Sequence, residues 1–179
     1  MSTTTLQQIP TGTWTVDPVH STASFAVKHL GISAFRSSFK QVDARLDNGV
    51  LTGSVQVESI DLAQEDLKGH VLGAEFFDVE NTPTVDFRST SIELAEDGTA
   101  TVEGELTIKG VTKPVVGTGT FTGPIDGMYG ERRVAFELEA EVDRFAHGLT
   151  WNADLPNGGK ALAEKVRLIV HLELVEQQA

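Results

Sequence analysis

The chain has 179 residues, enough for one domain with a sizeable core, and its 40% hydrophobic and 22% charged residues are an ordinary globular balance. A net charge of -12, from 26 acidic against 14 basic residues, argues against nucleic acid and against adsorption to anionic lipid surfaces. With no cysteine, disulfides, thiolate chemistry and cysteine-ligated zinc or iron–sulfur centres are excluded.

Residues 1–10 are polar and rich in Thr and Gln, without the basic start and apolar run of a signal peptide. That points to the cytoplasm, or to the periplasm or exterior if a leader has been trimmed. No stretch approaches the ~20 apolar residues of a spanning helix. Residues 1–11 are expected as a flexible tail, 12–175 as the domain and 176–179 as a short C-terminal tail.

Period-2 alternation dominates the chain from residue 14 onward. A short lead strand is expected at 14–16, then β-rich runs at 24–30, 39–46 and 51–59. Asp47-Asn48-Gly49 separates the last two and supplies the positive φ of a tight hairpin. Residues 61–73 break the pattern: Leu62, Leu67, Val71 and Leu72 lie among Asp, Glu, Gln and Lys. This predicts a short helix, with Asp61 as its cap and Glu65 following. In Glu75-Phe76-Phe77-Asp78 the adjacent phenylalanines cannot both face one core in a strand. Strands resume at 85–94 and 100–108 across Glu96-Asp97-Gly98, then at 115–122 after Lys109-Gly110. Residues 123–130 fit a longer hairpin loop. Val134, Phe136, Leu138, Ala140 and Val142 then alternate with Arg133, Glu137, Glu139 and Glu141. After a loop at 155–160, Val166, Leu168, Val170, Leu172 and Leu174 form the apolar face of the last strand.

The fold class is therefore all-β: an antiparallel meander of about eight strands with one short helical segment. Such a meander can pack as a sandwich or close into a barrel, and only closure removes the edges. Gly53, Gly104, Gly117 and Gly119 inside strands suit sharp curvature and favour the barrel, with the helix over one mouth.

Chemistry is hard to find in the spacing. His20, His29, His70, His147 and His171 form no metal-binding motif, so a metal site would need scattered residues brought together. His20-Ser21 is adjacent in sequence, which does not make a catalytic dyad, and no Gly-x-Ser-x-Gly elbow occurs. Their expected role is to bond the start of a strand or a ligand head group. Gly117-Thr118-Gly119 lies in a β-rich run with no helix after it, unlike a dinucleotide fingerprint. Glu137 and Glu139 sit on the polar face of a strand, where solvation accounts for them better than glycoside chemistry. The apolar face is the feature with functional potential. Phe25, Val27, Phe39, Phe87, Phe121, Phe136, Leu138, Val166, Leu168 and Val170 are candidates for an inner wall. Periodicity alone does not separate a ligand cavity from a filled core, and a filled core is its default.

Four motifs narrow this further. The first is Trp14, Asp17-Pro18, His20-Ser21, Phe25, Val27 and His29-Leu30-Gly31. The second runs from Gly69-His70 through Phe76-Phe77-Asp78-Val79 to Pro83, Phe87, Ser89 and Thr90. The third is Gly104 to Val115, and the fourth is Asp143-Arg144 with Gly148-Leu149 and Trp151. In this order, over about residues 12–174, they resemble the YceI-like polyisoprenoid-binding proteins. The resemblance implies an extended lipocalin-like barrel around a long isoprenoid chain, such as a polyprenyl pyrophosphate or a quinone tail. It implies a non-enzymatic binding, storage or transport protein, with no cofactor beyond a bound lipid or quinone, and a homodimer. The ligand-binding residues expected are Phe25, Val27, His29, Phe39, Phe87, Phe121, Phe136, Leu138, Trp151 and Leu168. His20, His29, His70, Arg144 and Trp151 are expected at the mouth. No residue is assigned to catalysis or to a metal. One departure stands out: an Arg-Asp-x-His-Leu run common in the family is Leu67-Lys68-Gly69-His70-Val71 here. Loss of that pair weakens the case for a pyrophosphate head and affects a neutral quinone or lipid head less. The rival readings are an enzyme acting on a lipid or small acid, and an interaction module with a filled core.

Overall fold

The computed structural model describes residues 5–179. Its strands are β1 (Leu6–Gln7), β2 (Thr13–Val16), β3 (Thr22–His29), β4 (Ser33–Phe39), β5 (Val42–Asp47), β6 (Val50–Gln56), β7 (Thr84–Ala95), β8 (Thr99–Ile108), β9 (Val111–Asp126), β10 (Arg132–Asp143) and β11 (Leu162–Glu176). One helix, α1 (Glu65–Leu72), lies between β6 and β7. No helix among these residues is long and apolar enough to cross a membrane.

All pairings are antiparallel, and the sheet closes on itself. From β5 to β11 each strand pairs with the next, and β10 pairs β11 from Arg133↔Val175 to Asp143↔Lys165. Two kinked pairs complete an eight-stranded barrel. β2 and β3 lie along the same side of β11, at Val16↔Leu174 and Val27↔Val166. The residues between them are held by the Asp17 N–H, which donates to the Glu173 carbonyl at 2.8 Å, and by the Ser21 hydroxyl, which accepts from the Glu173 N–H at 3.0 Å. The pair β4 and β5 turns the same corner. There the Lys40 N–H donates to the Ser59 carbonyl and the Gln41 N–H to the Ser59 hydroxyl.

The hairpin turns sort to two ends. The tight turns after β5 and β7 and the β9–β10 turn lie at one end, with the start of β2. The turns after β3 and β8, the α1 segment and the long β10–β11 connection lie at the other. The first end is filled. Trp14, Leu46, Leu94, Val102, Phe136 and Leu174 are almost wholly excluded from solvent and pack as one cluster with Phe121 and Val134.

Two glycines show why the wall can bend. A Cβ on Gly104 would strike the Arg88 carbonyl and the Phe87 ring, and one on Gly119 would strike the Glu137 carbonyl. Adjacent strands approach closely there because a side chain is missing. Beside Gly104 the β7–β8 register shifts between Ser89 and Ser91, and the buried Ser89 hydroxyl accepts the Leu51 N–H at 2.8 Å. The bulge therefore leaves that buried donor satisfied.

Several local expectations need correction. Strand β4 lies where no strand was expected, because its serines and Arg36 mask the inward alternation of Phe35, Ser37 and Phe39. The expected run at 39–46 is broken at residues 40–41, and that at 51–59 ends in a 3-10 turn at Val57–Ser59. β9 continues to Asp126, so the loop expected at 123–130 shrinks to a short turn. The helix starts at Glu65, and Gln64 before it makes no side-chain cap. Asp61 is otherwise engaged. Its N–H donates to the Ser38 carbonyl at 2.7 Å, its carbonyl accepts from the Ser37 hydroxyl at 2.8 Å, and its carboxylate pairs with Lys40 at 3.0 Å. The expected N-terminal tail is partly strand: Leu6 and Gln7 pair with Ala95 and Leu94, and Ile9 packs on the filled core. Residues 1–4 of that tail lie outside the described residues. At the other end, the Gln177 N–H donates to the Thr13 carbonyl at 2.8 Å.

Candidate ligand-binding cavity

Above the filled end the barrel is hollow. An inner cavity of about 160 Å³ is walled by residues including Val42, Ala44, Leu51, Val55, Phe87, Val102, Leu106, Leu138, Ala140 and Val170. An outer cavity of about 440 Å³ is walled by Val27, Phe35, Ile60, Leu62, Leu67, Val71, Phe76, Phe77, Ile108, Val142, Leu149, Leu162 and Val166, among others. Phe25, Phe39, Val85 and Leu168 border both, so the cavities lie end to end. The outer volume falls within the roughly 300–1,000 Å³ of small-molecule sites.

The junction is aromatic. Phe25 lies 6.2 Å from Phe35 and 5.9 Å from Phe39, centroid to centroid, and Phe39 meets Phe77 edge-on at 6.1 Å. A second cluster forms at the mouth. The His70 ring lies edge-on to Phe76 at 5.0 Å and to Trp151 at 4.9 Å, and Phe76 lies 5.3 Å from Trp151. Such pairs add to area burial and orient the rings. Phe76 and Phe77 both reach the cavity because they sit in a turn after α1, where the alternation of a strand does not apply.

The mouth loop is organised by Arg144. Its Nε donates to the Ala163 carbonyl at 2.8 Å, Nη1 to Leu149 and Trp151 at 2.7 and 2.8 Å, and Nη2 to Leu162 at 3.4 Å. The residue is buried, with no carboxylate of the described residues within ion-pairing distance, and burial pushes its guanidinium down from the usual range. The guanidinium thus ties two carbonyls of the β10–β11 connection to two at the start of β11 and fixes the loop that presents Trp151. His147, also buried, adds a tie through Nδ1 to the Val111 carbonyl at 2.9 Å. Across the mouth, the Lys109 ammonium donates to the Ala74 carbonyl at 2.9 Å and holds the turn after α1 against the β8–β9 hairpin.

Of the residues expected to meet a ligand, Phe25, Phe39 and Leu168 border both cavities, Val27, His29 and Trp151 the outer one, and Phe87 and Leu138 the inner one. Phe121 and Phe136 border neither. Their rings lie 5.0 Å apart within the filled end. Strand alternation gave them the inward face but not their height along the barrel. Of the polar residues expected at the mouth, His29, His70 and Arg144 border the outer cavity, whereas His20 does not. His20 is exposed at the corner between β2 and β3, where its Nδ1 lies 2.9 Å from the Asp17 carboxylate. Arg133 joins them, 2.8 Å from Asp17 and 2.6 Å from Glu173. The hydrogen bond from Arg133, then that from His20, holds the Asp17 carboxyl well below the usual range, and Asp17 raises His20 in return. Asp17, His20 and Glu173 are close enough to share an ion, but Arg133 already supplies a positive charge between the two carboxylates. Sequence reasoning missed Phe35, Ile60, Leu62, Leu67, Val71, Phe77 and Leu149. Only α1's apolar spacing and the Phe-Phe pair were signals for some of them.

A closed antiparallel barrel, solid at one end and hollow with an apolar lining at the other, is a barrel of the lipocalin-like kind. The YceI-like domain model matches residues 14–174, and the chain belongs to that family. Protein YceI of Salmonella arizonae is 30% identical over 166 residues, covering 89% of this chain and 83% of that protein. BcnA of Burkholderia cenocepacia shares the fold at a TM-score of 0.71 and 22% identity, over 88% of this chain and 98% of its own. A polyisoprenoid binding domain from Saccharophagus degradans, implicated in plant cell wall breakdown, does so at 0.72 and 10% identity, over 92% and 98%.

Proposed function

We propose that this protein encloses the chain of an isoprenoid lipid and acts in its storage or transfer, without chemical change. The observation that carries this is the pair of apolar cavities, end to end and closed below by the Trp14–Phe136 cluster. An isoprenoid tail has no hydrogen-bonding group and needs only a dry, continuous tube. Each buried CH₂ is worth about 0.8 kcal/mol, offset by the cost of ordering the chain. The likeness to a polyisoprenoid binding domain supports the same ligand class. A carrier is favoured over an enzyme because the most strongly perturbed groups, Asp17 and Arg133, border neither cavity. Native mass spectrometry of the purified protein, with extraction and identification of what is released, tests this. One isoprenoid per chain, lost in a Leu168→Trp variant that fills the shared wall, is the expected result. An empty protein that also ignores added polyprenyl lipid would overturn it.

A further inference from the structure

Polar groups are scarce around the outer cavity. Among the described residues that border it, the polar side chains are His29, His70, Arg144 and Trp151. Arg144 has spent four of its five N–H groups on backbone carbonyls, and its charge lies close to Asp143 and Glu164. Two other cations of the mouth segments are committed as well: Lys109 to the Ala74 carbonyl, and Lys160 to Asp154. Residues 61–80, the stretch around α1, carry six acidic residues and one lysine. An entering group of two or three negative charges would meet this acidic stretch with no free guanidinium fork among the cavity's described residues to receive it; Lys68 of α1, without an ion-pair partner among the described residues, does not border the cavity. The imidazoles are different. Among the described residues His29 makes no side-chain hydrogen bond, and the one ion-pair partner of His70 is Glu75 at 4.0 Å. A neutral imidazole offers one donor and one acceptor, which suits a hydroxyl or a carbonyl.

We infer that the ligand's head group is uncharged and hydrogen-bonding, a hydroxyl or carbonyl rather than a diphosphate, and that His29 and His70 are the side chains that select it. This rests on the proposed lipid-binding reading and goes on to name the head. The tail occupies the apolar tube and contributes most of the affinity. The two histidines set the preference among tails of equal length. Trp151 and Phe76, both edge-on to His70, hold its ring at the mouth.

The test is competitive binding to delipidated protein at pH 8, read by native mass spectrometry. Three probes share an isoprenoid chain: geranylgeraniol, geranylgeranyl diphosphate and a headless hydrocarbon of the same length. The alcohol should bind at least tenfold more tightly than the diphosphate. His29→Leu and His70→Leu should each reduce the alcohol's advantage over the hydrocarbon severalfold without weakening the hydrocarbon itself. His70→Gln, which keeps a donor and an acceptor, should restore it. Near-ultraviolet circular dichroism checks that each variant remains folded. Tightest binding by the diphosphate overturns the inference and leaves the lipid-binding reading standing. The same holds if alcohol binding is indifferent to both leucine variants. If none of the three binds, the lipid-binding reading itself fails.

Discussion

The two ends of this barrel are built from the same strands and obey the same alternation, yet one is solid and the other hollow. At the solid end, Trp14, Phe121 and Phe136 pack into one buried cluster, and short hairpins close the space. At the hollow end, Phe25, Phe35, Phe39, Phe76 and Phe77 line the wall and leave open space between them. Two of the connections there are long: α1 with the turn after it, and the β10–β11 loop, which together roof the space without filling it. The difference teaches that inward-facing aromatics make a core only where a cluster fills the width of the barrel: Phe121 and Phe136 are neighbours on β9 and β10, and Trp14 and Leu46 pack with them from β2 and β5. Where tilted rings leave space beside them, as Phe25, Phe35 and Phe39 do, they make the side of a cavity.

The sharpest way to break this comparison is to truncate one phenylalanine at each end. Phe136→Ala should cost about 3–5 kcal/mol, because it opens a void in a packed cluster. Phe35→Ala should cost about 1 kcal/mol or less, since its ring already borders empty space. Urea unfolding of both variants decides the matter, and equal losses would mean the two ends are packed alike. Next in size is Arg144→Met, which strips charge-assisted bonds from two carbonyls of the mouth loop and two at the start of β11. A loss of about 2–3 kcal/mol is expected, together with weakened ligand retention. Glycines sharpen the contrast at smaller scale. Gly119→Ala should cost about 1–3 kcal/mol through collision with the Glu137 carbonyl. Gly53→Ala faces the inner cavity with nothing nearer than 3.8 Å, and should be neutral or slightly stabilising.

The outer charge cluster gives a smaller effect with a definite pH signature. The folded Asp17 carboxyl is held below its unfolded value of about 3.9, so its contribution is complete above about pH 5 and is lost as the pH falls. His20 is shifted upward, so its part is complete below about pH 6 and lost as the pH rises through its folded value. Asp17→Asn should therefore flatten both limbs of a stability–pH curve. An unchanged curve would show that the cluster is too solvated to matter. Last, Trp14 and Trp151 report separately on the two ends. Ligand release should shift the emission of wild type and of Trp14→Phe alike, and leave Trp151→Phe silent.

Much of the barrel is legible in the sequence. The alternation of Val134 to Val142 and of Val166 to Leu174 marks two long strands with one apolar face, and the pairing of β10 with β11 closes the wall through those residues. Strand β4 is illegible because inward Ser37 breaks a hydrophobic period that only Phe35 and Phe39 carry. The helix start is misleading because Asp61 looks like a cap, and its backbone instead completes the edge of β4. The candidate site is legible in part: an inward face is a local property, and most residues on it do border the cavities. Phe121 and Phe136 depart from that pattern because height along the axis depends on which strand lies opposite.

By itself, then, the order of residues determined the all-β class, the turns, the inward faces and, through its four motifs, the family. These depend on neighbours one or two positions apart or on stretches of contiguous chain. Tertiary structure alone decided where the barrel is full and where it is hollow, that Arg144 spends its donors on the mouth loop, and that His20 lies outside while His29 and His70 border the cavity. Each of these depends on residues far apart in the chain meeting across a closed wall, a relation that periodicity does not encode.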